Sequence, residues 1–145
     1  MYAADDPVQA VQDADIICTA TPSRTPLFPA EAVRPGTHIN AIGSFTPDMG
    51  EVPLEVLADA LVVVDHAEAA WAEAGELIQA RRAGLLDPNS VVELGEIVLG
   101  RHQGRTSPLQ ITVFKSVGLA IQDVAAADRL LTRAERQGLG TLIEL

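Results

Sequence analysis

Between Thr37 and Asp48 the sequence THINAIGSFTPD passes from an apolar run into a loop that holds a glycine, two hydroxyls and a carboxylate. Gly43 would let a ligand approach the backbone, Ser44 and Thr46 offer hydrogen bonds, and Asp48 offers charge or proton transfer. A plain strand-to-helix turn would use the same residues equally well. Two further loops have the same character. Thr21-Pro22-Ser23 follows the apolar run DIICTA, and Ser116-Val117-Gly118 follows QITVFK. If these three runs are neighbouring parallel strands, all three loops open on one sheet edge, where α/β proteins place small molecules and cofactors.

Several chemistries lack their signatures. No GxGxxG turn joins a strand to a helix, and there is no GxxxxGK[ST] phosphate loop. His38, His66 and His102 lie far apart without metal-ligand spacing, so a metal site is not expected. A serine hydrolase would need a nucleophile elbow, which is also missing. The single cysteine, Cys18, excludes an internal disulfide, and its apolar surroundings predict a buried structural thiol.

The elements that must position these loops follow from periodicity and punctuation. Asp6-Pro7 reads as a helix start, with Val8, Val11 and Ala14 at helical spacing. Strands are expected over 15–20, 37–42, 60–65 and 110–115, with a last short one over 141–145. A helical turn is expected over 29–33, and a helix from Pro53 to about Ala58. A further helix runs from His66 to about Ala74, breaks at Gly75 and resumes toward Gly84. Asp65 is positioned to cap it, and Trp71 reads as packing rather than as a stacking platform. Helices are also expected over 91–99 and from Leu119 to about Gln137, the latter capped by Ser116 and ended by Gly138. Strands alternating with helices make a parallel sheet the economical answer.

At 145 residues, with 48% hydrophobic and 21% charged, the chain fits one globular core. A net charge of -10 argues against nucleic acid and anionic membrane surfaces, both of which need a basic footprint. Arg101, His102 and Arg105 are too few to reverse that balance. No apolar run approaches the length of a membrane span, so the expected setting is cytoplasmic.

TATPS at 19–23, HINAIGSFTPDMGE at 38–51, VVVD with AEAG over 62–75, ELGE at 93–96 and FKSVGLAIQD at 114–123 resemble the ornithine cyclodeaminase/mu-crystallin family. The resemblance runs in order along nearly the whole chain. It implies an α/β Rossmann-like parallel sheet flanked by helices, NAD(P) as cofactor, and chemistry on a small amino acid or cyclic imine. Residues 1–145 would then form a single partial NAD(P)-binding domain that lacks the family's first βαβ unit. The family's separate substrate and dimerisation domain, through which its members form homodimers, would also lie outside it.

Carried onto this sequence, the resemblance implies that Thr21, Pro22 and Ser23 line the dinucleotide. Ile42, Gly43 and Ser44 would lie near the nicotinamide, and Ser116 and Gly118 would meet it. Asp48 is the implied catalytic acid/base or substrate-orienting carboxylate, and Glu73 the implied contact to a substrate amine. Both acids could equally be capping or surface residues. Phe45 stands where ornithine cyclodeaminases have an aspartate, which favours the mu-crystallin or ketimine-reductase-like branch. A non-catalytic ligand-binding or interaction module derived from such an enzyme is the alternative.

Overall fold

The computed structural model of the chain describes residues 3–141 and 143. Five strands form one parallel sheet: β1 (Ile16–Thr19), β2 (His38–Ala41), β3 (Leu61–Val64), β4 (Val92–Glu93) and β5 (Thr112–Lys115), in the spatial order β1-β2-β5-β3-β4. The helices are α1 (Pro7–Val11), α2 (Leu54–Asp59), α3 (Ala67–Glu73), α4 (Gly75–Arg82), α5 (Leu94–Val98) and α6 (Ala120–Gln137). The sheet is the expected Rossmann-like arrangement. Progress from β1 through β2 and β3 to β4 always moves the same way across the sheet, and right-handed crossovers therefore stack the intervening helices on one face. The return from β4 to β5 sends α5 and the loop after it to the other face.

Strand register explains the core. Ile17, Ile39, Val113 and Val62 are paired neighbours that cross four strands as one buried row. Two residues further along each strand comes a second row on the same face, Thr19, Ala41, Lys115 and Val64, also buried. Leu57 and Leu77 close over these rows from α2 and α4. Each fully buried aliphatic side chain contributes about 1.5–3 kcal/mol. The second row therefore puts a threonine and a lysine where the pattern otherwise demands aliphatic residues.

The opposite face is sparsely covered. Ile16 is 64% exposed and Cys18 is exposed, so the expectation of a buried thiol is corrected: Cys18 alternates with Ile17 and Thr19 and points to the uncovered face. Farther across, the strands and α5 enclose an open cavity of about 690 Å³ lined by His38, Asn40, Arg105, Thr112 and Phe114 among others.

The remaining expectations hold or fail for local reasons. Asp6 caps α1 through a 2.9 Å bond from the Val8 N–H, with Pro7 at the first helical position. The expected interruption falls one residue before Gly75, at Ala74, whose backbone is extended; Gly75 then begins α4, where a Cβ would lie 2.0 Å from the Met49 carbonyl oxygen. Trp71 is half-buried against the core, with the Arg81 guanidinium 5.6 Å from its ring centre. The helix expected over 91–99 is corrected: Val92 and Glu93 pair with Val63 and Val64 as β4, and only Leu94–Val98 is helical. The strand expected over 141–145 falls largely outside the described residues, and Thr141 and Ile143 are not in a strand. Among the described residues no helix is long and apolar enough to cross a membrane.

Candidate functional site

The carboxyl ends of β1, β2 and β5 lie side by side, so the loops at Thr21, Gly43 and Ser116 do share one rim. Three acids stitch that rim together. Glu51 is fully buried and accepts four hydrogen bonds: from the Thr19 hydroxyl at 2.9 Å, the Thr21 N–H at 2.6 Å, the Thr21 hydroxyl at 2.8 Å and the Gly43 N–H at 2.8 Å. Burial pushes its carboxyl upward, but the backbone and hydroxyl donors of Thr21, with Thr19 and Gly43, outweigh this and hold it below the ordinary glutamate range. Glu51 is therefore an anion that ties the β1 loop to the β2 loop. A Cβ on Gly43 would lie 2.2 Å from the Thr21 nitrogen, so the glycine serves the close approach of those two loops.

The second acid, Glu76, lies in the first turn of α4 and is buried with Ser44 and Lys115. The Ser44 hydroxyl donates to Glu76 Oε2. The Lys115 ammonium donates to the Ser44 carbonyl and, at 2.8 Å, to the Ser44 Oγ, and lies 3.5 Å from Glu76 Oε1. Burial pushes the Lys115 ammonium below its usual range, and the adjacent Glu76 carboxylate opposes that shift. The charges balance inside the core, and their joint effect is to fix Ser44.

Asp65, at the end of β3, is the third. Its Oδ2 accepts from the Ser116 hydroxyl at 2.6 Å and the Gly118 N–H at 3.2 Å, and its Oδ1 accepts from the His66 N–H at 2.9 Å. Two expectations are corrected here. Asp65 does not cap α3, since His66 does so by accepting from the Ala69 N–H. Ser116 does not cap α6, because its hydroxyl is committed to Asp65 and the helix begins only at Ala120.

Asp48 and Glu73 stand apart from these buried acids. Asp48 is exposed, accepting from the Thr46 hydroxyl at 2.6 Å with the Arg24 guanidinium at 3.2 Å. The Thr46 hydrogen bond first, and Arg24 second, hold its carboxyl below the usual range, so it is held as an anion, suited to orienting a cationic or protonated group and a weaker base than an ordinary carboxylate. Glu73 is exposed at the end of α3, and no hydrogen bond or ion pair among the described residues draws it to the rim.

The implied cofactor residues are thus gathered on one edge, but their polar side chains are spent on the protein. Thr21, Ser44 and Ser116 face the three acids, and the Ser23 hydroxyl bonds Thr25. What remains open is backbone and apolar surface: Pro22, Ile42 and Phe45 are exposed, the last two at 44% and 53%. An apolar ledge with peptide groups fits a planar aromatic amide such as nicotinamide. It offers no cradle for a pyrophosphate among the described residues.

Glu51, Glu76 and Lys115 were not among the residues singled out from sequence, and Asp65 was expected there only as a helix cap. For Lys115 a signal existed: two residues after buried Val113 on the same strand face, it could not avoid the core. The threonine partners of Glu51 and the serine partner of Glu76 lie about 30 residues away, beyond any local pattern.

The model of the ornithine cyclodeaminase/mu-crystallin family matches residues 1–138. A Bacillus cereus Delta(1)-pyrroline-2-carboxylate reductase is 46% identical over 99% of this chain and 44% of its own length. An Archaeoglobus fulgidus alanine dehydrogenase is 40% identical over 98% of this chain and 44% of its own. Among solved structures, Thermococcus litoralis Delta(1)-pyrroline-2-carboxylate reductase in complex with NADH and L-proline superposes with a TM-score of 0.89 at 35% identity, covering 97% of this chain and 44% of that one. The chain spans less than half the length of these relatives. It belongs to the ornithine cyclodeaminase/mu-crystallin family.

Proposed function

We propose that this chain forms the nicotinamide side of an NAD(P)-dependent oxidoreductase site acting on a small amino acid or cyclic imine in the cytoplasm. The observation that carries the reading is the rim itself: an exposed apolar ledge of Ile42 and Phe45 on loops locked by Glu51 and Glu76. The relatives' reductase and dehydrogenase activities, and the NADH bound to one of them, supply the chemistry. A bound nicotinamide would donate or accept the hydride. Thr21, Pro22 and Ser23 would border the dinucleotide on one side and Ser116 and Gly118 on the other, with Ile42, Gly43 and Ser44 beneath the ring.

Asp48, ionised and exposed beyond β2, would take up or orient the proton that accompanies hydride exchange at an amine or imine carbon. Glu73 would contact the substrate amine. The likeness to pyrroline-2-carboxylate reductases favours a cyclic imine over ornithine as substrate. Residues 1–145 would be one partial Rossmann-like domain. Contacts at the nicotinamide end alone leave most of a dinucleotide unbound, so the affinity of this chain for NADH is weak.

Titration of the chain into NADH, followed by cofactor fluorescence, tests the reading. Saturable binding in the millimolar range is expected, unchanged by Asp48→Asn. No binding at millimolar cofactor refutes it. Consumption of NADH when a cyclic imine is added would remove the module alternative, and its slowing by Asp48→Asn would assign the proton to that residue. Undiminished turnover in Asp48→Asn would return Asp48 to the surface.

A further inference from the structure

Lys115 is the largest fully buried side chain among the described residues, and its ammonium ends on a backbone carbonyl, that of Ser44. No cis peptide occurs among the described residues, so the Ser44–Phe45 peptide is trans and its N–H points opposite to its C=O. With the carbonyl drawn inward to Lys115, the Phe45 N–H is turned outward. It has no hydrogen-bond partner among the described residues, and Phe45 itself is exposed, three residues after Ile42 in the loop that follows β2. A flip of this peptide would break the bond from Lys115 to the Ser44 carbonyl, and the ammonium is itself held in place by the Ser44 hydroxyl and by Glu76. A buried ion pair is a costly way to fill a core position that an aliphatic residue would satisfy. Here it fixes the orientation of one peptide.

We propose that Lys115 is a positioning residue that, through the Ser44 carbonyl, presents the Phe45 N–H as the donor for the carboxamide oxygen of nicotinamide. This rests on the nicotinamide assignment above and adds the group that reads its carboxamide. Such a donor distinguishes a carboxamide oxygen from a poorer acceptor of the same shape.

Backbone amide spectra of the 145-residue chain, recorded against NADH and against thionicotinamide NADH, test it. The second probe replaces the carboxamide oxygen by sulfur. NADH is expected to move the Phe45 amide downfield and thionicotinamide NADH to move it much less, while Thr21 and Gly118 respond alike to both. In Lys115→Met the Phe45 response is lost, and the preference for NADH over its thio analogue falls about fivefold, the worth of one hydrogen bond. Lys115→Gln, which keeps a donor for the Ser44 carbonyl, restores part of it. Equal Phe45 responses to the two probes in the unaltered chain overturn the proposal without needing either variant to fold, as does a Lys115→Met chain that keeps the response. Movement of Thr21 and Gly118 with a silent Phe45 overturns this inference alone. Silence of every rim amide overturns the nicotinamide assignment and the inference with it.

Discussion

Replacing Glu51 by glutamine should cost the fold about 3 kcal/mol. The carboxylate is fully buried and meets four donors at 2.6–2.9 Å, two on each oxygen. A glutamine oxygen can keep one pair, but its amide nitrogen must then face the other. In either orientation that pair includes a backbone N–H, of Thr21 or of Gly43, which cannot rotate to accept; the threonine hydroxyl can. One N–H is left opposed, at roughly 1–2 kcal/mol, and the other three bonds each fall from charge-assisted to neutral, at roughly 1 kcal/mol apiece. Relief of the carboxylate's burial returns part of the total. Urea denaturation followed by Trp71 fluorescence should show the midpoint lowered by about 2 M for a slope of about 1.5 kcal/mol/M, with the slope unchanged. Because folding lowers the Glu51 pKa, its contribution is present in full above the ordinary glutamate value of 4.5 and is lost as pH falls through the folded value. The gap between native and variant chains should therefore close in acid. A loss below about 1 kcal/mol at neutral pH, or a gap that does not change in acid, would refute the idea that Glu51 is the anion holding the two loops together.

Two further substitutions probe the same architecture. Gly75→Ala places a Cβ 2.0 Å from the Met49 carbonyl oxygen and 2.6 Å from that of Thr46, so backbone must shift; a loss of about 3 kcal/mol in urea is expected, and one within about 0.5 kcal/mol would contradict the close approach. Asp65→Ala removes the acceptor of the Ser116 hydroxyl and of the His66 N–H and the charged one of two acceptors of the Gly118 N–H, the other being Ser116 Oγ, while the His66 ring can still accept from the Ala69 N–H to cap α3. Hydrogen exchange at Gly118 should quicken about tenfold with exchange in α3 unaltered, and unchanged protection at Gly118 would show that the loop is held by something else.

The sheet was legible because its signals are local. LVVV at β3 and the apolar runs of β1, β2 and β5 end in glycine- or proline-bearing loops, and parallel strands must all expose those loops on one edge. β4 was missed because two residues carry little periodicity, and its pairing with Val63 and Val64 is a tertiary fact. The residues implied to line a cofactor do assemble on the rim. Their roles there were not legible: the hydroxyls of Thr21, Ser44 and Ser116 are donors to acids 30 to 51 positions away. Cys18 was misjudged because an apolar run was read as buried on both faces, whereas one face of β1 is open.

The proposed seat of nicotinamide is the exposed loop beyond β2. Intermolecular NOEs between NADH and the isotope-labelled chain locate the ring directly. Contacts from the nicotinamide protons to the Ile42 methyls and the Phe45 ring are predicted. Contacts instead to His38, Thr112 and Phe114, in the cavity on the uncovered sheet face, would place the ring elsewhere and rule this seat out.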